Sequence, residues 1–280
     1  MICFFLNFNA CTENKEQEQV NYPVTNDFLV DSRATVETVA LYEFLRTFAG
    51  TGTMFGHQDD LAYGIGWWAQ VDHSDVKAVC GDYPAVFGWD LGDINRQNNL
   101  DGVNFDNMID WMKQINDFGG IITISMHLDN PVTDQNAWDN SEAVSSILPG
   151  QSDNMKYRST LQYIADFLDR IKTSEGTYIP VILRPYHEHN HTWSWWGANS
   201  CTPAEYNALW QMSVEYFRDE SNLHHLLYAI SPQDISSAED YLARYPGDEW
   251  VDIFGIDSYS LWNMPAVTDL GQALSIVNEL

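Results

Sequence analysis

The sequence predicts an α/β fold, namely a (β/α)8 TIM barrel of which about six βα units are present in this chain. Short apolar runs without alternation lie between segments of helical periodicity, as in parallel strands that are covered on both faces. Polar and aromatic residues follow nearly every run, and a barrel spreads its site over the ends of many strands in this way. The glycine loops GxGxxG and GxxxxGK do not occur, which disfavours a doubly wound nucleotide-binding sheet.

The helices are predicted from apolar residues that recur at spacings of three and four. Three segments carry such a stripe: Val36, Ala40, Phe44 and Phe48; Phe105, Met108, Ile109, Met112 and Ile115; and Leu161, Ile164, Leu168 and Ile171. Gly50, Gly119 and Gly176 follow these segments and are expected to end them, because glycine adopts the left-handed cap at little steric cost.

A fourth helix is predicted at TPAEYNALWQMSVEYF, where Thr202 is the N-cap, Pro203 takes the first helical position and Glu205 completes a capping box. Six strands are expected between the helices: TMFGHQ, PAVFGWD, IITISMH, PVILRPYHE, LLYAISP and DIFGIDSY. The final DLGQALSIVNEL reads as the start of a further helix. Two βα units of a full barrel are therefore expected to be missing, and the chain is interpreted as a fragment.

Composition limits the partners that the protein can have. The chain of 280 residues is 45% hydrophobic and has a formal net charge of −27. That charge repels phosphate backbones and anionic lipids, so nucleic acid is not expected as a partner, and a neutral ligand suits the protein better. No run reaches the roughly 20 apolar residues of a membrane span. A monomer without a cofactor is expected.

Two regions are predicted along the chain. Residues 1–29 resemble a signal remnant followed by a polar tether, in which Cys11 could carry a lipid anchor; a frayed terminus or a misplaced start codon is the alternative. Residues 30–280 form the partial barrel. The expected location is secreted, or a periplasmic or outer-membrane lipoprotein. The four cysteines show no CxxC spacing, so we expect no zinc site, and Cys80 and Cys201 are expected as buried free thiols rather than a disulfide.

The stretch ILRPYHEHNHTWSWWG carries the strongest chemical signal. Glu188 lies just past a buried strand, where partial desolvation would raise its pKa and suit it to donate a proton. Trp193, Trp195 and Trp196 offer flat apolar faces on which a sugar ring can stack. The alternative is a structural carboxylate paired with Arg184. A glycan-cleaving site is therefore predicted here.

The motif RPYHEHNHTWSWWG, together with MFGHQDDLAYG, FGWDLGDI, ITISMHLDNP and DIFGIDSYS, resembles glycoside hydrolase family 26. Members of that family are mostly endo-β-1,4-mannanases on a (β/α)8 barrel. The resemblance runs from about residue 30 onward and implies that Glu188 is the acid/base and that His187 hydrogen-bonds the nucleophile. Other residues are candidates for substrate binding, either because the resemblance implies it or because they lie at the ends of predicted strands. They are His127, Trp193, Tyr259, Asp257, Trp196, His57, Asp90 and Arg184.

The resemblance also implies a retaining mechanism, which needs a second carboxylate about 5 Å from the acid. In the family this nucleophile is a glutamate that ends strand seven. Glu239 and Glu249 precede the sixth predicted strand and Glu279 follows it, so none of them fits. The nucleophile is expected beyond residue 280.

The leading hypothesis is thus a retaining endo-β-1,4-mannanase that acts on β-mannan. The alternatives are a β-glucanase or β-1,3-xylanase of the same family, or a non-catalytic carbohydrate-binding barrel.

Several other residues have alternative or structural interpretations. His57, Asp59 and Asp60 match no calcium loop, so no metal site is expected. His127 could instead be an inert core histidine. His189 and His191 are expected in a surface loop, and Tyr63 and Trp138 could line the cleft. Trp67, Trp68, Trp111 and Trp210 are expected to pack within helices.

Overall fold

The computed structural model describes residues 28–259 and 275–276. The helices and strands follow in this order: α1 (Val36–Phe48), β1 (Gly56–Gln58), β2 (Tyr63–Gly64), β3 (Trp67–Trp68), α2 (Asp75–Cys80), β4 (Val86–Asp90), α3 (Phe105–Asp117), β5 (Ile121–Ser125), α4 (Val144–Ile147), α5 (Asn154–Leu168), β6 (Val181–Arg184), α6 (Pro203–Glu215), β7 (Leu226–Ile230), α7 (Ala238–Leu242) and β8 (Ile253–Phe254). The predicted tether and the final helix lie almost entirely outside the described residues.

Six strands form one parallel sheet in the order β1-β4-β5-β6-β7-β8. They coincide with the six predicted runs, so that prediction is confirmed. Neighbours in the sheet are also consecutive along the chain, apart from the small hairpin β2–β3. A parallel sheet whose strand order follows the chain, with helices between the strands, is part of a (β/α)8 barrel.

The helices pack on this sheet through the apolar stripes that the sequence shows. All five stripe residues of α3 are buried, and the buried faces of α3, α5 and α6 join the strands in one core. Helix α6 begins with the predicted capping box, in which Glu205 N–H donates to the Thr202 hydroxyl at 3.2 Å and Thr202 N–H donates to the Glu205 carboxylate at 2.8 Å. These local signals positioned the helices correctly.

Helix α1 departs from its predicted stripe. Val36 and Phe44 are exposed, at 70% and 48%, although both belong to the predicted apolar face. The helix instead buries Thr38 and Val39, and Val39 belongs to a small cluster with Leu227 of β7. Leu41, Tyr42 and Leu45 are partly buried against the same cluster, so the packed face of α1 is rotated away from the predicted stripe.

Glycine ended two of the three helices as predicted. Gly50 and Gly119 both have φ of 76° and lie just after α1 and α3. Gly176 does not end a helix: α5 ends at Leu168, and Gly176 lies in a turn closed by the bridge between Lys172 and Tyr178. The prediction for Gly176 was wrong because a turn at Asp169 and Arg170 already ends the helix.

Two further expectations were wrong. Trp67 and Trp68 do not lie in a helix but form β3, whose pairing with β2 makes a short hairpin. Cys80 is an exposed free thiol at the end of α2, whereas Cys201 is a buried free thiol as expected. Trp111 and Trp210 lie in α3 and α6 as predicted. No helix among the described residues is both long and apolar enough to cross a membrane.

Candidate active site

The segment after β6 makes an unusual turn at the carboxyl end of the sheet. Tyr186 and Glu188 have φ of 47° and 54°, a left-handed conformation that side chains with a Cβ rarely adopt. The turn is held from both sides. The Glu188 N–H donates to the Ser231 carbonyl at 2.8 Å, and the buried Tyr186 hydroxyl bonds to the hydroxyls of Tyr157 and Ser213. Such surroundings stabilise a strained backbone that fixes the direction of the Glu188 side chain.

Glu188 is only 6% exposed and is hydrogen-bonded at both oxygens. Trp193 Nε1 donates to Oε2 at 2.7 Å, and the Tyr259 hydroxyl donates to Oε1 at 2.7 Å. Burial raises the pKa of Glu188 above its ordinary value, and these two hydrogen bonds oppose part of that rise. The predicted desolvated carboxyl is confirmed by this geometry.

Arg184 does not pair with Glu188, so the structural alternative for the glutamate was wrong. Its Nη1 lies 2.9 Å from Asp257 Oδ2, and Ser231 bonds to both residues. The Asp257 charge contributes to the raised pKa of Glu188, whereas the Arg184 charge opposes it. Arg184 and Asp257 thus form an ion pair beside Glu188, and their charges act on the pKa of its carboxyl in opposite directions.

His127 lies at the end of β5 and is held by Asp90 of β4. His127 Nδ1 is 2.7 Å from Asp90 Oδ2, and the Ser125 hydroxyl donates to the same oxygen at 2.6 Å. Burial by itself would raise the pKa of Asp90, but hydrogen bonds from His127, Ser125 and the Gly92 N–H bring it below the ordinary value. Asp90 is 2% exposed, and its predicted contact with substrate stays a prediction. In the structure it positions His127.

The prediction of three open indole faces was wrong for two of them. Trp195 and Trp196 are fully buried, and their Nε1 atoms donate to the carbonyls of Leu128 and His187 at 2.8 Å each. Trp196 therefore cannot stack on a substrate. It is part of the packed support beneath the turn that carries Glu188.

The aromatic surface beside Glu188 is built from Trp193 and two residues at and after the end of β5. The ring of His127 stacks on Trp138 with centroids 5.3 Å apart, and Trp138 and Trp193 are 5.8 Å apart. Trp138 is 53% exposed. The sequence left Trp138 open as a cleft residue, because it lies far from Trp193 along the chain and in a loop that carries no periodic signal.

Two buried histidines flank Glu188. His187 packs edge-on against His127, with ring centroids 4.5 Å apart, and burial lowers its pKa well below the ordinary value. His189 is also buried, so its expected place in a surface loop was wrong. It stacks on Tyr206 with centroids 4.5 Å apart, and burial, aided by the Arg244 charge, lowers its pKa to about 3. Both rings are neutral near pH 7.

His57 forms a separate pair. Its Nδ1 lies 2.8 Å from the buried Asp60 carboxylate, and that hydrogen bond raises the pKa of His57. Its ring stacks on Phe55, and neither partner belongs to the group around Glu188. The structure therefore does not bring this predicted substrate-binding residue to the acid. Among the described residues, no three His, Cys, Asp or Glu side chains are placed to hold a metal ion.

The sequence was compared with protein families and with curated relatives. The profile of glycosyl hydrolase family 26 matches residues 30–279. A mannan endo-1,4-beta-mannosidase of Bifidobacterium adolescentis is 39% identical over 237 residues, which are 82% of this chain and 24% of the relative. A mannan endo-1,4-beta-mannosidase of Bacillus subtilis strain 168 is 30% identical over 200 residues, 66% of this chain and 52% of the relative. The chain thus spans about a quarter and about half of these two curated relatives.

Solved structures agree with this result. A family 26 β-mannanase from Bacteroides ovatus superposes with a TM-score of 0.85 at 40% identity, covering 88% of this chain and 72% of that one. A modular endo-β-1,4-mannanase from Cellulomonas fimi gives a TM-score of 0.81 at 35% identity, covering 90% and 59%. Both superpositions agree with the partial TIM barrel described above.

Proposed function

The chain belongs to glycosyl hydrolase family 26, and from this premise we propose that the protein is a retaining endo-β-1,4-mannanase in which Glu188 is the acid/base. The observation that carries the proposal is the Glu188 carboxyl itself. It is nearly buried at the carboxyl end of β6, and its pKa is raised by that burial. A raised pKa favours the protonated carboxyl, which is the form that donates a proton to a leaving group.

In the first step Glu188 donates its proton to the glycosidic oxygen as the bond from that oxygen to the anomeric carbon breaks and a nucleophilic carboxylate forms a bond to the same carbon. Trp193 and Tyr259 each donate a hydrogen bond to a different oxygen of the carboxylate. These bonds stabilise the charged form that remains after proton transfer. In the second step the Glu188 carboxylate removes a proton from water, and the water oxygen attacks the anomeric carbon as the bond between that carbon and the nucleophilic carboxylate breaks. The proton that Glu188 takes up restores the acid.

The retaining route also needs a nucleophilic carboxylate near the acid. We assign that role to no residue among those that the structure describes. Asp257 is near the acid in the structure but is tied to Arg184 and Ser231 by bonds of 2.9 Å and 2.7 Å. Its geometry suits an ion pair that orients its neighbours and adjusts the charge beside Glu188.

The surface beside the acid suits a neutral sugar. Trp138 and Trp193 present indole rings next to His127, and aromatic faces pack on the C–H face of a pyranose while imidazole and hydroxyl groups bond to its edge. The net charge of −27 does not repel such a ligand. Names of the relatives suggest mannan as the particular polysaccharide.

The test is hydrolysis by the full-length gene product. Release of reducing ends is measured from galactomannan, glucomannan, lichenan and β-1,3-xylan, with Glu188→Gln beside the unchanged protein. We expect release from the two mannans only, and its loss in Glu188→Gln. Glu239→Gln, at an exposed position in α7, is the matched control and should retain activity.

Other outcomes would select another function. Release only from lichenan or β-1,3-xylan would make the protein a glucanase or xylanase of the same family. Binding of oligosaccharides without any release would favour a non-catalytic carbohydrate-binding barrel. Full activity of Glu188→Gln would exclude Glu188 as the acid/base.

A further inference from the structure

A short hairpin next to the first strand is fixed in an unusual way. The Asp75 carboxylate accepts hydrogen bonds from the Ile65 N–H at 2.8 Å and from Trp67 Nε1 at 2.6 Å. A Cβ on Gly64 would overlap this carboxylate and the Trp67 ring, so the close approach needs glycine there. One aspartate thus clamps both the turn and the buried Trp67 of the hairpin β2–β3.

The clamp leaves Trp68 in the open. Trp68 lies opposite Tyr63 in the hairpin register, and the two rings stack with centroids 5.0 Å apart and planes 8° apart. The Tyr63 hydroxyl donates to Asp59 at 3.1 Å, which holds the stack from below. Trp68 is nevertheless 54% exposed. A large apolar ring that is rigid and yet exposed is typical of a binding surface.

Trp68 forms one wall of a cavity of about 470 Å³. The lining also includes Trp111 of α3, whose ring is set by stacking on buried Trp89 with planes 5° apart. Besides the two indoles, the cavity is lined mainly by amide side chains: Gln97, Asn98, Asn104 and Asn107. Small residues such as Gly102 leave the space beside Trp68 open.

The chemistry of this lining selects one class of ligand. None of the described residues that line the cavity is Lys or Arg, and its one acid, Asp106, pairs with Arg170 at 2.5 Å. The side chains of Gln97 and Asn107 make no hydrogen bond to any residue that the structure describes, so their donors and acceptors remain available. Indole faces together with unpaired amides suit a neutral, hydroxyl-rich molecule with an apolar face.

The cavity opens at the same end of the sheet as Glu188. The hairpin follows β1 and residues 97–104 follow β4, whereas Glu188 follows β6. Strands β4 and β6 are two positions apart in the sheet, which is about 10 Å. The lining shares no residue with the group around Glu188.

We propose that this cavity is a second, non-catalytic binding site for a neutral glycan, which holds polysaccharide at the end of the sheet where Glu188 lies. The choice of mannan as a probe rests on the proposed function, whereas the site itself rests on the cavity, its two indoles and its amides.

The test separates binding at the cavity from reaction at Glu188. Affinity of the full-length protein for galactomannan and for mannohexaose is measured in a Glu188→Gln background, with and without Trp68→Ala. We expect Trp68→Ala to weaken polysaccharide binding about tenfold, the order of one stacked aromatic ring. Tyr163→Ala removes another exposed ring, 51% accessible on α5, and should leave the affinity unchanged.

A second variant tests the cavity without the risk that Trp68→Ala unfolds the hairpin β2–β3. The double variant Gln97→Ala with Asn107→Ala removes the amides without touching the Tyr63–Trp68 stack and should weaken binding similarly. In the protein that retains Glu188, kcat/KM for an aryl mannobioside should be the same with and without the Trp68→Ala substitution, because this small substrate occupies the reaction site only.

Unchanged affinity in both variants would overturn the proposal. An equal loss of kcat/KM on the aryl mannobioside would place Trp68 in the reaction cleft and would also overturn it. If the protein hydrolyses no mannan, the same binding measurement with cello- and xylo-oligosaccharides still decides the cavity, because it does not depend on hydrolysis. Loss of binding in the variants would then support the site while the proposed function fails.

Discussion

Tyr259 donates its hydroxyl hydrogen to Glu188 Oε1 at 2.7 Å across 71 positions of the chain. This bond stabilises the charged carboxylate and so opposes the rise in the pKa of Glu188 that burial causes. Tyr259→Phe should therefore raise the pKa of Glu188 further, and the alkaline limb of the pH profile of kcat/KM should move to higher pH. Tyr245→Phe removes a hydroxyl bonded to Asp248 instead and should not move the limb.

Asp257→Asn should move the same limb in the opposite direction. The Asp257 charge contributes to the raised pKa of Glu188, and the Arg184 charge opposes it. Without the aspartate charge, Arg184 loses its partner and stabilises the Glu188 carboxylate more strongly, so the pKa of Glu188 falls. The alkaline limb of kcat/KM should then appear at lower pH. A limb that moves upward would show that the ion pair acts on Glu188 in another way.

Glu188→Ala should separate substrates by their leaving groups. Loss of a general acid costs about 10²- to 10⁴-fold in rate, so hydrolysis of mannan should fall by that order. An activated aryl mannoside has a leaving group that needs no proton, and its first step should remain fast, with a burst of phenol followed by slow turnover. Equal losses on both substrates would contradict the acid/base role.

Asp59 should make the protein less stable as the pH rises. The residue is fully buried, and burial followed by the neighbouring Asp101 charge raises its pKa from 3.8 to about 7. Between these two pKa values the folded state holds a proton that the unfolded state has released. The contribution of Asp59 to stability is therefore full below about pH 4 and is lost progressively as the pH rises to about 7. Each unit of pKa difference corresponds to about 1.4 kcal/mol.

Asp59→Asn removes this titration, and asparagine tolerates the left-handed backbone at this position, where φ is 52°. Urea unfolding between pH 4 and pH 8 should show a smaller loss of stability in the variant. Parallel curves for the two proteins would show that Asp59 is ionised in the fold.

His189 should contribute the opposite trend. Burial lowers its pKa from 6.5 to about 3, so the unfolded state binds the proton first, and stability is lost as the pH falls from about 6.5 toward 3. His189→Phe keeps a ring to stack on Tyr206 but cannot be protonated. Its unfolding free energy should fall less between pH 7 and pH 4 than that of the unchanged protein, and the value at pH 8 serves as the reference.

The sequence determined the six strands of the main sheet, the helices α3, α5 and α6, and the identity of the proposed acid. Buried strands and amphipathic helices have local periods, and the capping box at Thr202 and Glu205 is complete within four residues, so both could be read without the fold. Glu188 was found in the same way, because its strand, its aromatic neighbours and its family motif are contiguous.

The tertiary structure decided which side chains are available and which are paired. Trp193 is partly exposed while Trp195 and Trp196 are buried, and nothing in WSWW distinguishes them, since burial depends on which helices cover the turn. Arg184 pairs with Asp257 and not with Glu188, and His189 lies in the core. These pairings join residues that are far apart in the chain. They can form only after the sheet has brought the strand ends together, so the local sequence does not reveal them.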